Sequence, residues 1–240
     1  MGRNTRGSQL IAAGVHSFTA LGSVAGFMAL RGVVEDEPAH ALLWLGAAMI
    51  IDGLDGPLAR HFSISTHMPS VDGAILDNVI DYLTYALVPA IFLYRFELVP
   101  GPWGTAVAAF ILMTSLYTFA NRELKTADNF FNGFPATWNF VVLGFYLLET
   151  GPLLNVLVIL GCGILTFAPL KFIHPFRVRA LRPLNVAATV AWAAATVFLI
   201  LQRGIGADLL RDYTEATVAF LLLSVYFLAF GLVRSVRGRL

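Results

Sequence analysis

Asp52-Gly53-Leu54-Asp55-Gly56-Pro57-Leu58-Ala59-Arg60 closes one apolar run of this chain, and Gly73-Ala74-Ile75-Leu76-Asp77-Asn78-Val79-Ile80-Asp81 opens the next. Asp52 and Asp55 are three apart, so on a helix they share a face. Asp77 and Asp81 are four apart and share a face in the same way, with Gly73 one turn further back. The apolar residues before position 52 and after position 81 read as membrane helices. A loop joins them, so their acidic ends lie side by side and the two carboxylate pairs can face each other.

The rest of the chain agrees with a membrane reading. Of 240 residues, 58% are hydrophobic and 13% are charged, against about 25% charged in soluble domains. That balance excludes a disordered chain, a basic nucleic-acid-binding domain and an ordinary cytosolic enzyme. Apolar stretches recur near 10–31, 40–57, 74–95, 102–121, 134–148, 152–170, 183–202 and 213–233. The expected fold class is therefore all-α and polytopic, with about eight transmembrane helices. Pro100-Gly101-Pro102, Gly133-Phe134-Pro135 and Gly151-Pro152 mark turns between them. With no internal repeat and no soluble segment, the expectation is one membrane domain over 1–240. The first apolar run is too long for a signal peptide, so it is expected to be a retained span. The lone Cys162 excludes an intramolecular disulfide and a Cys-based zinc site.

Charge gives the orientation. With an even number of spans and the N-terminus inside, twelve of the 16 Lys and Arg residues fall in inner segments: Arg3, Arg6, Arg60, Arg122, Lys125, Lys171, Arg177, Arg179, Arg182, Arg234, Arg237 and Arg239. Arg31, Arg95, Arg203 and Arg211 fall outside. Positive residues stay on the cytoplasmic side, so both termini and the four aspartates are expected there. The basic inner segments also suit anionic lipid headgroups.

Four carboxylates converging at a bilayer repel one another unless a cation neutralises them. All-oxygen ligands favour Mg²⁺ or Mn²⁺, and Ca²⁺ also fits. Two metals bridged by shared aspartates suit phosphoryl transfer, where attacking and leaving oxygens both need stabilising. Gly56 and Ala59 are small where a nucleotide approaches the backbone, and Arg60 is placed to meet a phosphate.

At these positions the chain resembles the CDP-alcohol phosphatidyltransferases, whose signature is D-x2-D-G-x2-A-R, a spacer, then G-x3-D-x3-D. Asp52, Asp55, Gly56, Ala59, Arg60, Gly73, Asp77 and Asp81 match every fixed position. The spacer, positions 61–72, is longer than the family's usual one. In this the chain looks like the bacterial branch that uses choline, as do Asp52-Gly53 and Gly56-Pro57. His16-Ser17-Phe18-Thr19-Ala20-Leu21-Gly22, the stretch Asp128 to Asn139 and the stretch Lys171 to Arg179 extend that likeness over nearly the whole chain.

The resemblance implies transfer of the phosphatidyl group from CDP-diacylglycerol to choline, giving phosphatidylcholine and CMP. It implies Asp52, Asp55 and Asp77 as metal ligands, with Asp81 completing a second site and serving as general base. It implies Asp55, Gly56, Ala59, Arg60 and Gly73 as the CDP-binding surface, Mn²⁺ or Mg²⁺ as cofactor, a homodimer, and a bacterial inner membrane. A quaternary ammonium offers no hydrogen-bond donor, so choline calls for aromatic rings or an acidic neighbour. Tyr85, one turn after Asp81, is the first candidate; Tyr82, Phe131, Trp138 and Asp72 follow. His16, Ser17 and Asn139 either line the site or bond to neighbouring helices. His61, His67 and His174 are expected at the interface, and His40 on the outer side. Arg177, Arg179 and Arg182 suit either a lipid phosphate or an ordinary positive inner loop. Serine, inositol or glycerol phosphate as acceptor, and a transporter with an acidic site, are the competing readings.

Overall fold

In lipid every backbone N–H must find its partner inside the chain, so uninterrupted apolar sequence becomes helix. The computed structural model describes residues 2–121, 131–168, 171–172 and 182–237. Its helices are α1 (Gly2–Val34), α2 (Pro38–His61), α3 (Ile64–His67), α4 (Gly73–Asp81), α5 (Val88–Arg95), α6 (Pro102–Ala120), α7 (Trp138–Leu148), α8 (Pro152–Leu165), α9 (Arg182–Gly204), α10 (Leu209–Asp212) and α11 (Thr214–Arg237). A π-helical turn, Tyr82–Leu87, makes α4 and α5 one continuous rod. Two-residue strands, β1 (Phe131–Asn132) and β2 (Lys171–Phe172), pair antiparallel between the loops after α6 and α8.

Among the described residues, five rods are long and apolar enough to cross a membrane: Arg6–Val34, Pro38–His61, Gly73–Arg95, Pro102–Ala120 and Pro183–Gly204. Shorter apolar helices, Trp138–Leu148, Pro152–Leu165 and Thr214–Phe227, stand where the other three spans are expected. The all-α polytopic class therefore holds, with different lengths. α7 has 11 residues, about 16 Å at 1.5 Å per residue, roughly half the hydrocarbon thickness. α2 runs the other way. It continues through Pro57 to His61, carrying the acidic segment as helix beyond its apolar stretch.

The rod from Gly73 to Arg95 lies at the centre. Ala86, Val88, Ala90, Phe92 and Leu93 are buried among Ile111 of α6 and Trp138 and Val142 of α7. It rests on the backbone of α1, where Gly22 and Gly26 leave no room for a side chain. A Cβ at Gly22 would stand 2.8 Å from Ile80, and one at Gly26 would stand 2.7 Å from Leu83. Small residues permit such close approach between membrane helices. Large apolar side chains such as Phe27, Met113, Leu153, Ile164, Val190 and Leu222 are exposed, as befits surfaces that meet lipid.

Contacts sort the helix ends into two sides. Asp36, after α1, pairs with Arg95 at the end of α5. Glu149, after α7, pairs with Arg203 in α9. Asn155 at the start of α8 donates to Leu98 O at 2.7 Å. All of these belong to segments the charge count assigns outside, while the aspartates lie at the other end of the same helices.

Candidate active site

The acidic segment stays helical, so the three-residue spacing of Asp52 and Asp55 delivers both side chains to one face of α2. α4 brings Asp77 opposite. One carboxylate oxygen from each of Asp52, Asp55 and Asp77 lies within 4.8 Å of the others. Asp55 is buried; Asp52 and Asp77 are half-buried. At that spacing each pair of negative charges repels by about 3 kcal/mol at an effective dielectric of 20. Three oxygen donors of a single sign, facing inward, fit a hard divalent cation. The residues present therefore suit the metal the sequence pattern implies.

Asp81 is not one of those three, yet it belongs to the same group. The Tyr85 hydroxyl lies in the combined field of Asp52, Asp81 and Asp77 and donates to Asp52 Oδ2 at 2.7 Å. Across the site, Thr19 of α1 is buried, its hydroxyl donating to Val15 O at 3.3 Å and lying near enough to act on the Asp55 carboxyl. Arg60 lies in the field of Asp55, and its guanidinium crosses Gly56, where a Cβ would meet Nη1 at 3.3 Å. Glycine at 56 thus makes room for the arginine. Ala59 packs, half-buried, against the small cluster of Ala12, Val15 and Ile64, so its small size serves the contact with α1 and α3. α3 occupies part of the long spacer.

Local sequence explains the rest of the rod. Asp72 caps α4, accepting from Ala74 N at 3.0 Å and Ile75 N at 3.2 Å. Pro89 has no N–H for the Tyr85 carbonyl four residues back, and its ring crowds that carbonyl. The helix widens there, and Val88 N–H bonds to Leu83 O. Such π turns recur at functional sites. The Thr84 hydroxyl donates to Ile80 O at 3.0 Å.

Three of the other choline candidates have contacts of their own. Trp138 is fully buried; its indole N–H donates to Ser115 Oγ at 2.8 Å and Phe134 packs edge-on to it. The ring thus packs in the core between α6 and α7 and presents no exposed surface. Tyr82 turns to α6, meeting Phe119 edge to face with its hydroxyl 3.5 Å from Leu112 O. Asp72 is exposed and caps α4 through Oδ1. His16 stands against Gly73, its Cε1 3.3 Å from where a Cβ would be, and its buried Nε2 has no hydrogen-bond partner. Ser17 is exposed. Asn139 is buried with Oδ1 unpartnered. Positions 128–130, His174, Arg177 and Arg179, and the side chains of Phe131 and Arg182, lie outside the described residues. The approach of Thr19 to Asp55 and the π turn escaped the sequence reading. Thr19 sits three residues after His16, and Pro89 interrupts a helical pattern, so both left a trace.

Residues 11–236 match the family described as CDP-alcohol phosphatidyltransferase. The chain is 42% identical over 224 residues to a protein named phosphatidylcholine synthase from Pseudomonas aeruginosa, covering 93% of this chain and 92% of that one. Proteins of the same name from Mesorhizobium japonicum and Agrobacterium fabrum are also similar. The first is 39% identical over 193 residues, 80% of this chain and 72% of that one. The second is 34% identical over 224 residues, 93% and 90% respectively.

Proposed function

The chain belongs to the CDP-alcohol phosphatidyltransferase family, and from that premise we propose that it makes phosphatidylcholine by transferring the phosphatidyl group of CDP-diacylglycerol to choline, releasing CMP. The observation that carries this reading is the convergence of Asp52, Asp55 and Asp77 from two helices, within a chain so similar to named phosphatidylcholine synthases.

Asp52, Asp55 and Asp77 would hold a divalent metal, with Asp81 completing a second site. When bound, the metal neutralises the diphosphate and stabilises charge on the departing phosphate oxygen. Arg60, beside Gly56 and Asp55, meets the CDP phosphates as a fixed cation, and Gly73 lets the nucleotide approach the start of α4. Asp81 takes the proton of the choline hydroxyl. The choline oxygen forms its bond to the β-phosphorus, which carries diacylglycerol. The bond from that phosphorus to the bridging oxygen breaks, and CMP leaves with its electron pair. The choline cation is drawn by the acidic surroundings and by the ring of Tyr85. Mn²⁺ is the favoured ion by family likeness, with Mg²⁺ as substitute.

This is an integral membrane protein whose substrates include a membrane lipid. We read 1–240 as one domain in a bacterial inner membrane, its site facing the cytoplasm because the basic residues cluster on that side, and the active form as a homodimer.

The test uses protein purified in detergent with CDP-diacylglycerol and Mn²⁺, and with choline, serine, inositol or glycerol phosphate added singly. CMP and the lipid product are both followed. Choline-dependent CMP release with phosphatidylcholine formed, lost in Asp81→Asn, is the expected result. Turnover with another acceptor alone would replace choline in this reading. No turnover from folded protein with any acceptor or metal would overturn it, and solute flux in vesicles would then test the transporter reading.

A further inference from the structure

We infer that Tyr85 is a positioning residue, whose hydroxyl fixes the Asp52 carboxylate in the orientation that faces Asp55 and Asp77. The inference rests on the metal reading above and deepens it. The bond from Tyr85 Oη to Asp52 Oδ2 is 2.7 Å long and joins residues 33 apart in sequence. It ties the end of α2 to the central rod across the acidic group. A hydroxyl donating to a carboxylate at this distance is a charge-assisted bond, roughly twice as strong as a neutral one. A short aspartate arm has two free torsions, and its neighbours Asp55 and Asp77 repel it. Without a donor it would swing toward water. The hydroxyl opposes that swing and leaves the second oxygen of the pair for a cation.

The backbone is shaped to deliver this hydroxyl. The π turn at Tyr82–Leu87 follows from Pro89, and Tyr85 stands at its middle. Leu83 wedges against Gly26 and Ile80 against Gly22, so the rod cannot rotate about its axis to carry the tyrosine away. Groups that orient a metal ligand in this way commonly govern affinity by about 10–100-fold.

The hydroxyl and the ring have separable duties, which makes the inference testable. Full-length protein in detergent is titrated with Mn²⁺, and free Mn²⁺ is followed by its paramagnetic resonance signal. Wild type, Tyr85→Phe, Asp52→Asn and the double variant are compared, with metal and choline KM measured on the two proteins that turn over. Tyr85→Phe is expected to raise the Mn²⁺ Kd and the Mn²⁺ KM about ten-fold or more. The choline KM should stay within about two-fold, because the ring remains. In the Asp52→Asn background the loss of the hydroxyl should add less than about two-fold, since its partner is already altered. An unchanged Kd in Tyr85→Phe overturns the inference while leaving the metal reading intact. So does a double variant whose losses multiply. A wild type that binds no Mn²⁺ and turns over without it overturns the metal reading itself.

Discussion

Trp138→Phe separates a core tryptophan from a choline-binding one. The substitution keeps an aromatic ring but removes the indole N–H, which donates to Ser115 Oγ at 2.8 Å. Ser115 is not left stranded, because its own hydroxyl still donates to Ile111 O at 2.6 Å. The hydrogen-bond loss therefore falls at the low end of the usual range, about 0.6 kcal/mol between membrane helices. Trp138 is fully buried beside Phe134, so the smaller ring leaves a void of roughly 35 Å³, costing about 0.8 kcal/mol at 24 cal/mol per Å³. Together these give about 1.5 kcal/mol. At about 2–4 °C per kcal/mol for a chain of this size, the apparent Tm should fall by about 3–6 °C. Thermal unfolding in detergent reads the fall, and kinetics well below the Tm should show a choline KM within about two-fold of wild type. An unchanged Tm with a choline KM raised ten-fold or more would refute the core assignment and return the ring to the substrate.

Three further outcomes follow from the same packing. Asp72→Ala removes the cap of α4 and should destabilise by about 1 kcal/mol, with most of the loss recovered in Asp72→Asn and the choline KM unmoved in both; unfolding and kinetics on the same preparations check this. Gly163→Ala drives a methyl group into the ring of Phe110, so α6 and α8 should separate at a cost of about 1–3 kcal/mol, and Phe110→Leu in the same chain should recover part of the lost Tm. Chelation with EDTA should abolish CMP release, and Mn²⁺ added back should restore it; activity that survives exhaustive chelation would contradict a carboxylate-held metal.

The acidic motif was legible because helical spacing is a local property. Three- and four-residue intervals put side chains on one face whatever surrounds them, and α2 and α4 both kept that geometry. Asp72 entered as a choline candidate through its nearness to the motif, and its part as the cap of α4 shows only in the structure. Trp138 could not be read this way. Its burial depends on Ser115 and Phe134, and nothing in the pattern around 138 states which face of α7 meets α6. The lengths of α7 and α8 were hidden for a related reason: apolar loop residues such as Phe134 pack into the core and look, in one dimension, like more span. The long spacer shows how a departure from a pattern acquires a cause only in three dimensions. Ile64 of α3 is buried against Ala12 and Val15 of α1, while Thr19, one to two turns further along α1, reaches Asp55. The insertion thus braces, from the membrane surface, the helix that walls the acidic site.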